Sequence, residues 1–100
     1  MIFITQLIYI RPGKEESFHE FEDMAIPLIA KYNGKLLLRI RPADADVIER
    51  NMEAPYEVHL VQFPSEEDIE NFMHDDSRTK FLHLKEDSVQ SAILIKGSKL

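Results

Sequence analysis

The residues best able to do chemistry in this chain are few and scattered. His59 stands inside the apolar run Tyr56 to Phe63, between Val58 and Leu60. An imidazole in such a run has to be hydrogen-bonded, placed at an interface, or set in the wall of a cavity, because an unpartnered buried polar group is costly. Strand alternation puts Glu57 on the same face as His59, and Arg39 can lie on the neighbouring strand. Two readings stay open. Either His59 is a structural or subunit-contact residue satisfied by Glu57 and Arg39, or it is a pocket group that moves a proton near neutral pH while Arg39 orients an anion.

A second group, His74, Asp75 and Arg78, sits on nearby turns. Arg78 could bind an anion or clamp the Asp75 carboxylate, and helix capping with a local ion pair accounts for the same residues. Tyr9, Tyr32 and Tyr56 are phenols that could orient a substrate in a small cavity, or amphipathic residues at the core boundary. The candidate ligand-binding residues are thus Arg39, Tyr9, Tyr56 and Arg78, and the candidate proton-transfer residue is His59. His19 and His83 read as boundary or surface residues among charged neighbours. The histidines show neither i, i+4 spacing on a helix nor His-x-His spacing on a strand, so no metal site is predicted. Neither a glycine-rich phosphate loop nor a Gly-x-Ser-x-Gly elbow is present, which leaves no sequence support for nucleotide binding, serine hydrolysis or any cofactor.

Composition narrows the classes further. One hundred residues without cysteine or tryptophan fit a single domain over residues 1–100, with one core and no disulfide scaffold. A cysteine-free chain fits a cytoplasmic setting. The formal charge of −6, with no cluster of lysine and arginine, argues against nucleic-acid binding. The apolar start, Met1 to Ile10, carries Thr5 and Gln6 and lacks a basic leader, unlike a signal peptide, and no stretch is long enough to span a membrane.

The elements that must position these residues centre on Tyr56 to Phe72. Val58 to Phe63 suits a buried strand, Pro64 ends it, and Ser65 with Asp68 three residues on starts a helix whose first turn holds Glu66 and Glu67. Upstream, residues 2–11 read as a central strand closed by Arg11-Pro12-Gly13. A helix is predicted from Lys14 to Tyr32, with a stripe of Phe18, Phe21, Ala25, Leu28, Ile29 and Tyr32, a kink at Pro27, and a stop at Asn33-Gly34. Glu15, Glu16, Glu20, Glu22 and Asp23 are expected on its solvated face.

Lys35 to Arg41 alternates as a second strand, with Leu36, Leu38 and Ile40 on one face and Leu37, Arg39 and Arg41 on the other. Pro42 to Pro55 is a long loop, with a short helical turn expected within Asp46 to Asn51. The second helix should break at His74 to Ser77, with Asp76 or Ser77 capping its second piece, before a last strand from Val89 to Lys96. The order β-α-β-β-α-β predicts an α+β, ferredoxin-like fold: a four-stranded antiparallel sheet with both helices on one face. The uncovered face is expected to hold Phe3, Leu7, Tyr9, Leu37, Val61 and Phe63 with Thr5, Arg39, Arg41, Glu57 and His59. A face that apolar calls for a second copy packed sheet against sheet, that is, a homodimer.

The early strand, the helix ending at Tyr32-Asn33-Gly34 and the Phe63-Pro64-Ser65 joint resemble the dimeric α+β barrel superfamily, nearest to the uncharacterised branch called domain of unknown function 1330. That branch typically carries an aromatic pair and a Ser-Pro-Glu-Tyr-like turn where this chain has Asn71-Phe72 and Asp75-Asp76-Ser77-Arg78. The resemblance implies a homodimer with a cavity between sheet and helices in each subunit, able to take a small organic ligand. In the wider superfamily that cavity serves cofactor-free monooxygenases, isomerases, haem enzymes and sensing domains, so a cofactor-independent monooxygenase or isomerase acting on a small aromatic or enolisable acid is the alternative it implies.

Overall fold

A computed structural model describes all 100 residues. Four strands, β1 (Ile2–Ile10), β2 (Lys35–Ile40), β3 (Glu57–Phe63) and β4 (Val89–Gly97), form one antiparallel sheet in the order β2-β3-β1-β4. Five helical segments, α1 (Glu15–Ala25), α2 (Leu28–Lys31), α3 (Glu66–Met73), α4 (Asp76–Lys80) and α5 (Leu82–Ser88), supply the helical layer. None of them is long and apolar enough to cross a membrane.

Local chemistry explains where the elements begin and end. Ser65 Oγ accepts the Asp68 amide at 3.2 Å and donates to the Asp68 carboxylate, so the strand-to-helix joint closes on itself. Pro27, with no N–H to give, separates α1 from α2. Asn33 takes φ 64°, and Gly34 follows it where a Cβ would meet the Phe63 ring at 2.5 Å. Only a residue without a side chain lets that turn press on β3. The core behind it is Ile4, Ile29, Val61 and Phe63, flanked by Tyr32, Leu36, Ile69 and Phe72.

Three expectations are corrected. The cap of the broken second helix is Asp75, whose carboxylate accepts the amides of Ser77 and Arg78, because it is the last residue with extended ψ before the chain turns helical. The loop's helical turn is a 3₁₀ turn at Asp44–Asp46, held by Asp46 accepting the Ala43 amide.

The third correction concerns the faces of the sheet. In the β1–β3 register, Ile4 stands opposite Val61, Gln6 opposite His59 and Ile8 opposite Glu57. The odd residues of β3 therefore share the helix side with the even residues of β1, and Glu57, His59, Val61 and Phe63 are all buried there. In β2 a bulge at Leu37 shifts the register by one residue: Leu36 pairs with Val61 on the helix side, yet Leu38 and Ile40 pair with Leu60 and Val58 on the open side. One inserted residue reverses every later side chain, which carries Arg39 to the helix side beside His59. The open face is made of Phe3, Thr5 and Leu7, Leu38 and Ile40, Val58 and Leu60, and Ile93 and Ile95.

Candidate functional site

Between sheet and helices lies a cavity of about 180 Å³. Its walls are largely apolar, with Phe18 and Phe21 from α1, Ile29 from α2, Val61 and Phe63 from β3, and Phe72 from α3. The polar end gathers Glu22, His59, Arg78 and Lys85, with Gln6 opposite His59, and Lys96, bound to Glu66, is the remaining charged residue of the lining. This volume falls below the ~300–1,000 Å³ of ordinary drug-sized sites and suits a small molecule.

Glu57 is the fixed point of the polar end. It is fully buried, its Oε2 accepts from Arg39 Nε at 3.0 Å, and its Oε1 accepts from Arg41 Nε at 2.7 Å. Burial would raise its pKa, but the hydrogen bonds from His59, Arg39 and Arg41 outweigh burial and hold it below the usual carboxylate range. Glu57 is therefore an anion, and the His59 Nε2 against its Oε2 must be the donor. His59 is fixed in tautomer by this bond.

Glu22 reaches the same place from the other layer. Its Oε2 lies 3.7 Å from His59 Nε2, too far for a hydrogen bond, and its side chain is 9% exposed and lines the cavity. Burial first, then the Glu57 charge, push its pKa up to about 7, against the opposing pull of Arg39, Lys85 and Arg78. The expectation of a solvated Glu22 is overturned by helical phase: it falls four residues after Phe18 and three before Ala25, on the buried stripe of α1. That spacing was the signal available in the sequence.

Arg78 is buried over the rings of Phe21 and Phe72 at 5.9 and 5.6 Å, and one of its terminal nitrogens donates to the Met73 carbonyl at 3.1 Å. The Asp75 carboxylate, instead of pairing with the Arg78 guanidinium, accepts from Lys31 Nζ at 2.8 Å and from the Tyr32 hydroxyl. These bonds tie α2 to the cap of α4 and so aim Arg78 inward. Lys85 of α5 lines the cavity without an ion-pair partner, its pKa pushed down by burial and by Arg78.

Of the residues singled out in the sequence, His59 and Arg78 line the cavity, and Arg39 stands behind it, bound to Glu57. Tyr9 and Tyr56 lie outside the cavity lining. Tyr9 sits on the opposite face of the sheet, its hydroxyl donating to the Glu53 carbonyl at 2.8 Å. Tyr56 precedes β3, where its hydroxyl meets His19 Nε2 at 2.6 Å and its ring lies under Arg41 and against Phe18.

Glu22, Glu57 and His59 bring their ligand-type atoms within 4.8 Å of one another, a convergence that histidine spacing could not reveal. The set is poorly made for a cation: both Glu57 oxygens are engaged by guanidinium groups, and Arg78 and Lys85 add further positive charge. The same charges suit an anion.

The chain matches the family described as Domain of unknown function (DUF1330) over residues 6–98. No curated protein matches it. Among solved structures, a protein of unknown function from Rhodopseudomonas palustris superposes with a TM-score of 0.84 at 17% identity, covering 99% of this chain and 82% of that one. A protein from Agrobacterium tumefaciens gives 0.74 at 18% identity, covering 100% and 94% of the two chains. An uncharacterized NIPSNAP domain protein from Burkholderia xenovorans gives 0.72 at 12% identity, with 100% and 95% covered. At these identities the likeness is one of fold.

Proposed function

This chain belongs to the DUF1330 family, and we propose that it is a small homodimeric binding protein whose cavity between sheet and helices receives a small organic acid. The observation that carries this reading is the composition of the cavity: apolar walls with Glu22, His59, Arg78 and Lys85 gathered at one end. Aromatic rings and branched side chains bury the body of the ligand, while Arg78 and Lys85 attract its carboxylate. Glu57 is already neutralised by Arg39 and Arg41, so these two cations are left to face Glu22 alone.

The homodimer is supported by the open face of the sheet. Leu38, Ile40, Ile93 and Ile95 are 39–54% exposed there, on both outer strands. A four-stranded face of this length offers roughly 500 Å² per copy from strand spacing and rise alone, about what a minimal stable interface of ~1,000 Å² in total requires. The cysteine-free composition fits a cytoplasmic home.

Native mass spectrometry of the protein isolated from its source cells tests both parts together. A dimer carrying a small extra mass is the expected result. A bare chain that also fails to bind any of a panel of small aromatic and aliphatic carboxylic acids, followed by NMR shifts of cavity methyl groups, would sink the binding reading. The second reading, turnover of a small aromatic or enolisable acid without a cofactor, is favoured by one observation, the Glu22 carboxyl at the cavity wall, 3.7 Å from His59 and outside hydrogen-bond reach of it.

A further inference from the structure

We propose that Glu22 is a carbon-acid base, and that the cavity catalyses proton exchange and keto–enol isomerisation of a small 2-oxo acid with an apolar tail. This rests on the reading of the cavity as an acid-binding site and assigns its chemistry. Glu22 is the one carboxyl in the cavity lining, its side chain is more than nine-tenths buried, and its contact with His59 Nε2, at 3.7 Å, is too long for a hydrogen bond. Its oxygens face the cavity and are not tied into a protein hydrogen bond with His59, so they are free to meet a group of a ligand placed against them. His59 is less suited to the task, because its Nε2 proton is committed to Glu57, which Arg39 and Arg41 hold in place.

Arg78 and Lys85 supply the complementary charge. Both line the cavity, and both act on Glu22 electrostatically. With the substrate carboxylate and its 2-oxo oxygen toward these cations, the carbon next to the ketone lies toward Glu22. The Glu22 carboxylate takes a proton from that carbon. The C–H electron pair becomes the carbon–carbon double bond of the enolate, and the carbonyl π pair moves to oxygen, where the cations stabilise the charge. The neutral Glu22 acid then gives its proton to oxygen, yielding the enol, or first trades that proton with solvent water and delivers the solvent hydron to carbon, yielding the exchanged substrate. No electron leaves or enters the substrate, so no oxidant or cofactor is required.

A base of this kind works best with a pKa near the working pH, and Glu22 is held there by burial and by Glu57 of β3, which raise it, against Arg39 of β2, Lys85 of α5 and Arg78 of α4, which lower it; His59 of β3 also faces it.

The test uses the whole protein with phenylpyruvate and 2-oxohexanoate in D₂O, followed by proton NMR. Binding is read from shifts of the Val61 and Ile29 methyl groups, and chemistry from loss of the signal of the protons next to the ketone. We expect at least one probe to exchange tenfold or more above the buffer rate, with a rate rising through pH 7 as Glu22 ionises. The E22Q variant should keep probe binding and fall to the buffer rate. Binding without accelerated exchange in the wild type, or exchange that survives E22Q, overturns the assignment of Glu22 while leaving the acid-binding cavity standing. Failure of both probes to shift the cavity methyls overturns the cavity reading as well.

Discussion

Glu22 Oε2 of the first helix and His59 Nε2 of the third strand lie 3.7 Å apart, across the boundary between the helical layer and the sheet. The contact puts a carboxyl that ionises at about 7 beside an imidazole already bound to a carboxylate that ionises well below it. Two glutamates within one small volume are thereby driven apart in pKa, one to act as a fixed anion and the other to change charge near neutrality.

Glu22 makes stability fall with pH. Its folded pKa of about 7 exceeds the model-peptide value of 4.5, so the folded state holds more protons than the unfolded state between these limits. Unfolding free energy therefore decreases as pH rises from 4.5 to 7 and levels off above. Glu22→Gln should be more stable than the wild type at pH 8 by about 2–3 kcal/mol, since a pKa unit corresponds to ~1.4 kcal/mol. The gain should vanish at pH 4.5. Urea titrations at the two pH values check this, and equal stability at pH 8 refutes a buried, ionisable Glu22.

Glu57→Gln should act in the opposite sense. The amide keeps the shape but removes the anion that holds Arg39, Arg41 and the His59 N–H. Because the two arginine side chains are 30% and 46% exposed, water recovers part of the loss, and a cost of about 1–3 kcal/mol is expected. For a chain of this size that lowers Tm by roughly 4–8 °C per kcal/mol, a shift that a calorimetric scan resolves.

Gly34→Ala tests the packing of the turn on β3. The added Cβ would stand 2.5 Å from the Phe63 ring and 2.7 Å from an Ile29 methyl, both in the core. Overpacking of this kind costs about 1–3 kcal/mol, and a lower urea midpoint with an unchanged slope is the expected outcome.

Ile95→Asp tests the open face. Ile95 is 54% exposed, so the change should cost the isolated subunit little while placing a charge in a sheet-to-sheet contact. Light scattering should report a dimer for the wild type and a monomer for the variant. A monomeric wild type at micromolar concentration removes the dimer from the proposal.

Most of the fold was legible because its signals are local. Pro27, Asn33-Gly34, Pro64 and Ser65 each act through their own backbone or the next turn, and the breaks they mark are where the elements end. The site was legible only in part. His59 and Arg78 stood out by residue type, whereas Glu22 was hidden among acidic neighbours and betrayed only by its phase with Phe18 and Ala25. Tyr9 and Tyr56 stood out equally by type, yet the register turns one to the opposite face and the other lies before the strand begins.

The sequence by itself determined the order of strands and helices, the single core, the acidic balance and the residues available for chemistry. Tertiary structure alone decided which face each strand turns to the helices. Side-chain period is two in a strand, so a single extra residue at Leu37 reverses everything after it, and neither composition nor alternation fixes which partner residue a strand meets. Through that choice Arg39, Glu57 and His59 came to lie beneath the helices, where hydrogen bonds from His59, Arg39 and Arg41 lower the pKa of Glu57 while burial and the Glu57 charge raise that of Glu22.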